Sequence, residues 1–142
     1  MGQGENTTSP STHPLYVAGG IQATGDIIAY YSDERLKHFH GKIDNPIDKI
    51  KQLNGYYFTE NEKAKELGYD NDKQQVGVNA QEVQKVLPEV VDVAPVSYKE
   101  GVDEEYLTVH YDKLVPLLIE AVKEQQDQIE LLKAEIKELK NK

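Results

Sequence analysis

The sequence predicts an α+β fold: a small mixed globular unit followed by a long C-terminal helix whose apolar seam forms an oligomeric coiled coil. Three observations predict it. Between residues 32 and 111, short β-prone runs alternate with short amphipathic stretches, each bounded by Gly, Pro or Asn. Beyond residue 112, apolar side chains recur at heptad spacing. Finally, 38% apolar content is low for a chain that is all core, so part of its 142 residues should be extended or shared between subunits.

Composition divides the chain into four regions. Residues 1–14 (MGQGENTTSPSTHP) are polar and nearly uncharged, which reads as a disordered leader or added linker. Residues 15–31 carry Leu15-Tyr16-Val17, Ile21, Ala23 and Ile27-Ile28-Ala29-Tyr30-Tyr31 between Gly19-Gly20 and Gly25-Asp26. These β-prone runs suggest strands that bury little alone, so they are expected to pair with other copies or to end a preceding β-structured shaft.

Residues 32–111 read as the α+β core. Asn45-Pro46 opens a short helix with Ile47, Ile50 and Leu53 on one face, and Asn54-Gly55 ends it. Tyr56-Tyr57-Phe58-Thr59 is a strand, Glu60 to Leu67 a brief helix stopped by Gly68, and Gln75-Val76-Gly77-Val78 a returning strand after a polar turn. Asn79 is a good N-cap and Glu82 follows three residues later, the spacing of a capping box with asparagine in the serine or threonine place. The helix Ala80 to Leu87 would bury Val83, Val86 and Leu87 before Pro88 stops it. Val90 to Val93 and Tyr106 to Tyr111 complete the strands, with an acidic loop between them.

The C-terminal segment, 112–142, carries the strongest periodicity. Asp112 is placed to cap a helix in which Val115, Leu118, Val122, Gln125, Ile129, Leu132, Ile136 and Leu139 occupy successive a and d positions over four heptads. Leu114, Leu117 and Ile119 widen the stripe at its start, so the first two turns should pack on the globular unit. Branched residues at a with Leu at d favour two parallel strands in simple coiled coils, and Gln125 at d would fix register. The seam predicts an oligomer without selecting its order.

The net charge of −9, from 25 acidic against 16 basic residues, and the lack of any long Lys or Arg run argue against a nucleic-acid surface. No apolar run is long enough to span a bilayer, and residues 1–14 hold no signal-peptide segment, so neither membrane nor export is expected. Without cysteine there is no disulfide and no thiolate metal site. His38 and His40, with distant His110, lack a metal-ligand pattern, and Glu100 to Glu105 lacks calcium-loop spacing; no metal or cofactor is expected. Most of the nine tyrosines fall in predicted strands, where packing accounts for them.

Ser32-Asp33-Glu34-Arg35-Leu36-Lys37 is the stretch with chemistry in it. It sets a hydroxyl and a primary amine five residues apart, around the chain's only arginine. A serine becomes a nucleophile when a base takes its proton, and a desolvated neutral lysine can do so. Ser32 and Lys37 could meet across a turn.

Together with Gly77-Val78-Asn79-Ala80-Gln81-Glu82-Val83-Gln84-Lys85-Val86-Leu87-Pro88-Glu89-Val90-Val91 and Tyr111-Asp112-Lys113-Leu114-Val115-Pro116-Leu117-Leu118-Ile119-Glu120-Ala121, this segment resembles, in order and spacing, the intramolecular chaperone domain that ends many phage tailspikes and tail fibres. The family is classed as a self-cleaving serine peptidase, and endosialidase tailspikes carry such a domain. The resemblance runs from about residue 26 to the C-terminus. It implies a homotrimer that aligns an upstream fibre shaft of the same polypeptide and is then cut off, within the host cytoplasm during virion assembly, leaving it released from or attached to the fibre.

The resemblance also implies Ser32 as nucleophile and Lys37 as base, with Tyr31, Ser32 and Asp33 flanking the cut. Attack on the Tyr31 carbonyl is favoured chemically, although scission just after the serine stays open. Asp33 and Arg35 are expected to shape the turn, Glu82 to cap its helix, and Asn79 and Gln81 are possible oxyanion donors. A structural trimerisation or attachment module that never cuts is the alternative, and a receptor-binding tip ranks third because no recognition loop stands out.

Overall fold

The computed structural model describes residues 15–142; the leader expected at 1–14 lies outside them. Four α-helices and four short strands follow in the order α1 (Pro46–Ile50), β1 (Gly55–Phe58), α2 (Glu62–Glu66), β2 (Gln75–Val78), α3 (Ala80–Val86), β3 (Val91–Val93), β4 (Leu107–Val109) and α4 (Val115–Lys140). Single 3-10 turns sit at Glu34–Leu36, Pro88–Val90, Pro95–Tyr98 and Tyr111–Leu114. The α+β unit and the long terminal helix expected from the sequence are both present.

Local chemistry accounts for the element ends. Pro46 opens α1 with its ring-fixed φ, after Asn45 in the left-handed conformation at φ 45°. Asn45 makes no side-chain cap; instead Ile47 N–H donates to Glu124 Oε2 of α4 at 3.4 Å, so one helix caps another. Asn61 caps α2 through Ala64 N–H at 2.9 Å. Gly68, at φ 98°, then turns the chain off α2 while Tyr69 N–H bonds to Ala64 O at 3.0 Å.

The strands form two antiparallel pairs. In β1–β2, Gly55 lies opposite Val78 and Tyr57 opposite Val76; in β3–β4, Val91 lies opposite Val109. The second pair is extended at both ends by Ala94 N–H to Tyr106 O (2.7 Å) and His110 N–H to Val90 O (2.8 Å).

Val83, Leu87, Val90, Val109 and Leu117 make the core, with Ile43, Ile50, Leu53, Val78, Ala80, Val86, Val91 and Leu114 around them. Val83 and Leu117 are both fully buried, and burying each stabilises the fold by about 1.5–3 kcal/mol. The core therefore joins α3, β3–β4 and the first turns of α4, which fixes the root of the long helix to the globular unit. As expected, Leu117 packs inward; Ile119, expected beside it, stays 53% exposed.

Two expectations change. Asp112 does not cap α4: it lies inside the 3-10 turn Tyr111–Leu114, which runs directly into the helix, so Leu114 takes the N-cap place without a side-chain bond. Residues 15–31 form no strand here, and Ile27 and Ile28 are 72% and 94% exposed. A short β-prone run needs a neighbouring strand for its backbone groups, and none of the described strands pairs with this one.

Candidate self-cleavage site and assembly helix

Asp33 organises the segment that holds Ser32. Its side chain caps the 3-10 turn Glu34–Leu36 by accepting Arg35 N–H at 2.9 Å, and it accepts the Arg35 guanidinium through Nε (3.0 Å) and Nη2 (2.7 Å). Leu36 N–H to Asp33 O and Lys37 N–H to Glu34 O close the turn. The Arg35 hydrogen bond holds the Asp33 carboxyl below its ordinary range, and Asp33 in turn raises Arg35.

The turn folds residue 37 back over residue 32. Lys37 Nζ donates to Ser32 Oγ at 2.9 Å, the contact a serine–lysine pair requires. An ammonium can only donate in this contact; to act as a base a lysine must first lose a proton, which desolvation favours. Both side chains are exposed in the single chain.

Upstream of Ser32, Tyr30 adopts φ 68°, a left-handed backbone in an aromatic residue. Its ring lies 5.0 Å from Lys113 Nζ and 6.4 Å from the Tyr31 ring, centroid to centroid. Neither the Lys113 contact nor the turn was legible in the sequence, since Tyr30 and Lys113 are 83 residues apart and a tyrosine does not announce a positive φ.

Asn79, Gln81 and Glu82 form a second group at the start of α3. Asn79 Oδ1 accepts Gln81 N–H (2.9 Å) and Glu82 N–H (3.3 Å), the expected cap. Glu82 does not complete the capping box. It reaches across to β1, accepting Tyr56 Oη–H at 2.6 Å, Asn54 N–H at 3.2 Å and Asn54 Nδ2 at 3.3 Å. The phenol competes successfully because it offers a short bond from a neighbouring element. That bond, foremost, lowers the Glu82 carboxyl and raises the Tyr56 hydroxyl. Neither Asn79 nor Glu82 hydrogen-bonds to Ser32 or Lys37 among the described residues.

On α4 the seam residues point away from the core. Val115, Leu118, Val122, Ile129, Leu132, Ile136 and Leu139 are all between 45% and 66% exposed, and Gln125 is exposed too. Leu117 and Ala121, one position away around the helix, are buried against the globular unit. An isolated helix with so continuous an apolar stripe in water is short of a partner. Among the described residues no helix is long and apolar enough to cross a membrane.

Comparison with known proteins follows the same lines. Residues 32–92 match the model of the family described as Chaperone of endosialidase. The chain is 35% identical over 111 residues to the long tail fiber protein Gp37 of Enterobacteria phage K3, covering 78% of this chain and 8% of that protein. The corresponding figures for Gp37 of Enterobacteria phage T2 are 35% over 111 residues, 78% and 7%, and for Gp37 of Salmonella phage S16 28% over 110 residues, 78% and 14%. The chain thus spans a small fraction of the curated relatives' length. The family match takes in two of the three motifs, Ser32 to Lys37 and Gly77 to Val91, and ends before the third, Tyr111 to Ala121.

Proposed function

We propose that this chain, which resembles the endosialidase chaperone family through residues 32–92, is the C-terminal intramolecular chaperone of a phage tail fibre. It trimerises, aligns an upstream β-structured shaft, and separates from it by cutting its own backbone at Ser32. Residues 15–31 are the end of that shaft, residues 32–111 the chaperone core, and 112–142 the assembly helix. Interwound β-structure has high contact order and exposes strand edges while it folds. Holding three chains together by a helical seam raises their local concentration and shortens that exposure.

The observation that carries the cleavage reading is the 2.9 Å contact of Lys37 Nζ with Ser32 Oγ inside the segment matched to the family. In the step, neutral Lys37 takes the Ser32 hydroxyl proton as Oγ attacks the Tyr31 carbonyl carbon. The Tyr31–Ser32 C–N bond breaks, the proton passes to the Ser32 nitrogen, and an ester joins the fragments. Water then hydrolyses the ester, leaving a Tyr31 carboxylate and a Ser32 amine. A neighbouring subunit that covers Lys37 would supply the desolvation absent from the single chain, tying the cut to assembly.

A second reading, an assembly module that never cuts, is favoured by the exposure of both Ser32 and Lys37. Intact mass of freshly made protein beside Ser32→Ala and Lys37→Ala, with native mass by light scattering, separates the two. Trimers throughout, with a fragment starting at or next to Ser32 in wild type alone, support the self-cutting chaperone. A whole wild-type trimer leaves the assembly module, and a monomer sinks both.

A further inference from the structure

We infer that Lys113 is a positioning residue for the segment entering Ser32, and that it ties this segment to the root of α4. The consequence for cutting rests on the self-cleavage reading; the contact itself does not.

Three observations meet here. The Tyr30 backbone sits at φ 68°, where the Cβ of an ordinary residue crowds the neighbouring carbonyl. Such a conformation persists when surrounding groups hold it. Burial does not hold it, because Tyr30 is 80% exposed. The group over its ring is Lys113 Nζ, 5.0 Å from the centroid, within the reach at which an ammonium is drawn to an aromatic face. The Tyr31 ring, tilted 45° to that of Tyr30, adds an aromatic contact from the next residue.

Lys113 is itself well anchored. It is half-buried in the 3-10 turn Tyr111–Leu114, and its N–H bonds to His110 O at 3.0 Å. It also stands two residues before Val115, where the exposed seam begins. The two cations nearest in sequence are already engaged, Arg35 with Asp33 and Lys37 with Ser32. Lys113 thus pins Tyr30, and with it the Tyr31 carbonyl, to the turn from which α4 and its assembly face begin. Ordering of the seam is thereby transmitted to the bond that Ser32 would attack.

The test pairs two readouts on the full chain. Cell-free synthesis with timed quenching gives the self-cutting rate for wild type, Lys113→Met, Lys113→Arg, Tyr30→Leu and Tyr30→Phe. Lys113→Met and Tyr30→Leu should slow it by about two- to fivefold at unchanged native mass, while Arg and Phe, which keep cation and ring, restore it. In a Ser32→Ala background, the rate of chymotryptic cutting after Tyr30 and Tyr31 should rise by a similar factor with Lys113→Met and return with Lys113→Arg. If Lys113→Met equals the parent in both, the inference is overturned. Should wild type never cut itself, the self-cleavage reading falls, and the chymotrypsin series alone decides whether Lys113 holds the segment.

Discussion

Glu82 Oε1 accepts the Tyr56 hydroxyl at 2.6 Å, so the first turn of α3 is bound to strand β1 rather than to its own N-terminus. The bond is strongest while the carboxyl is ionised and the phenol keeps its proton.

That pairing gives stability a pH dependence with two limits. The Glu82 carboxyl is lowered by the Tyr56 bond, so its contribution is present above the ordinary carboxylate range and is lost as pH falls through its folded value. Tyr56 is raised by Glu82, so its contribution is full below the ordinary tyrosine range and disappears as pH climbs through its folded value. Thermal melts of wild type against Glu82→Gln from acid to alkaline pH check this. The variant should melt lower at neutral pH, with the gap narrowing at both extremes; a gap independent of pH would refute the assignment.

Lys37→Arg keeps a cation beside Ser32 but removes any basic form, because a guanidinium does not lose its proton in proteins. If Lys37 is the base, this variant remains whole by intact mass while keeping the wild-type native mass. Cutting at the wild-type rate would assign Lys37 a purely structural part.

Adjacent leucines on α4 should fail in different ways. Leu117→Ala empties a fully buried site and should cost about 2–5 kcal/mol in denaturant unfolding. Leu118→Asp alters a side chain that is 50% exposed in the single chain, so it should lower the native mass in sedimentation while leaving the circular dichroism of the globular unit intact.

Gly77 leaves room for Tyr111, whose Oη accepts Val78 N–H at 3.1 Å; a Cβ at Gly77 would come within 2.8 Å of that oxygen and 3.0 Å of Phe58 Cε1. Gly77→Ala and Tyr111→Phe should each cost about 1 kcal/mol, and the double variant less than the sum, because both remove the same bond. Full additivity in chemical denaturation would show that the two residues act separately.

Much of this was legible where the cause is local. Pro46, Gly68 and Pro88 mark helix ends by backbone geometry and Asn79 by its own side-chain cap, none needing a tertiary partner, and the heptads of α4 fix which side chains form one stripe. Ser32 and Lys37 were placed together because a five-residue separation is short enough for one turn to close. What escaped depends on a second element. Glu82 had the right spacing for a capping box but met Tyr56. Asp112 had the right chemistry for a cap but fell inside a turn that continues into the helix. Residues 15–31 have β-forming side chains and no paired strand, so their propensity alone does not make a sheet.

The separation of two faces on α4 also bears on the order of events. Leu117 and Ala121 are committed to their own subunit while Val115, Leu118 and Val122 beside them are not, so a second chain can be received without surrendering any internal contact. Under the proposed assembly, association is an addition rather than an exchange: the globular unit would fold in a step indifferent to concentration, and the later meeting of subunits alone would follow mass action. Dilution would then delay assembly without delaying the folding of the parts.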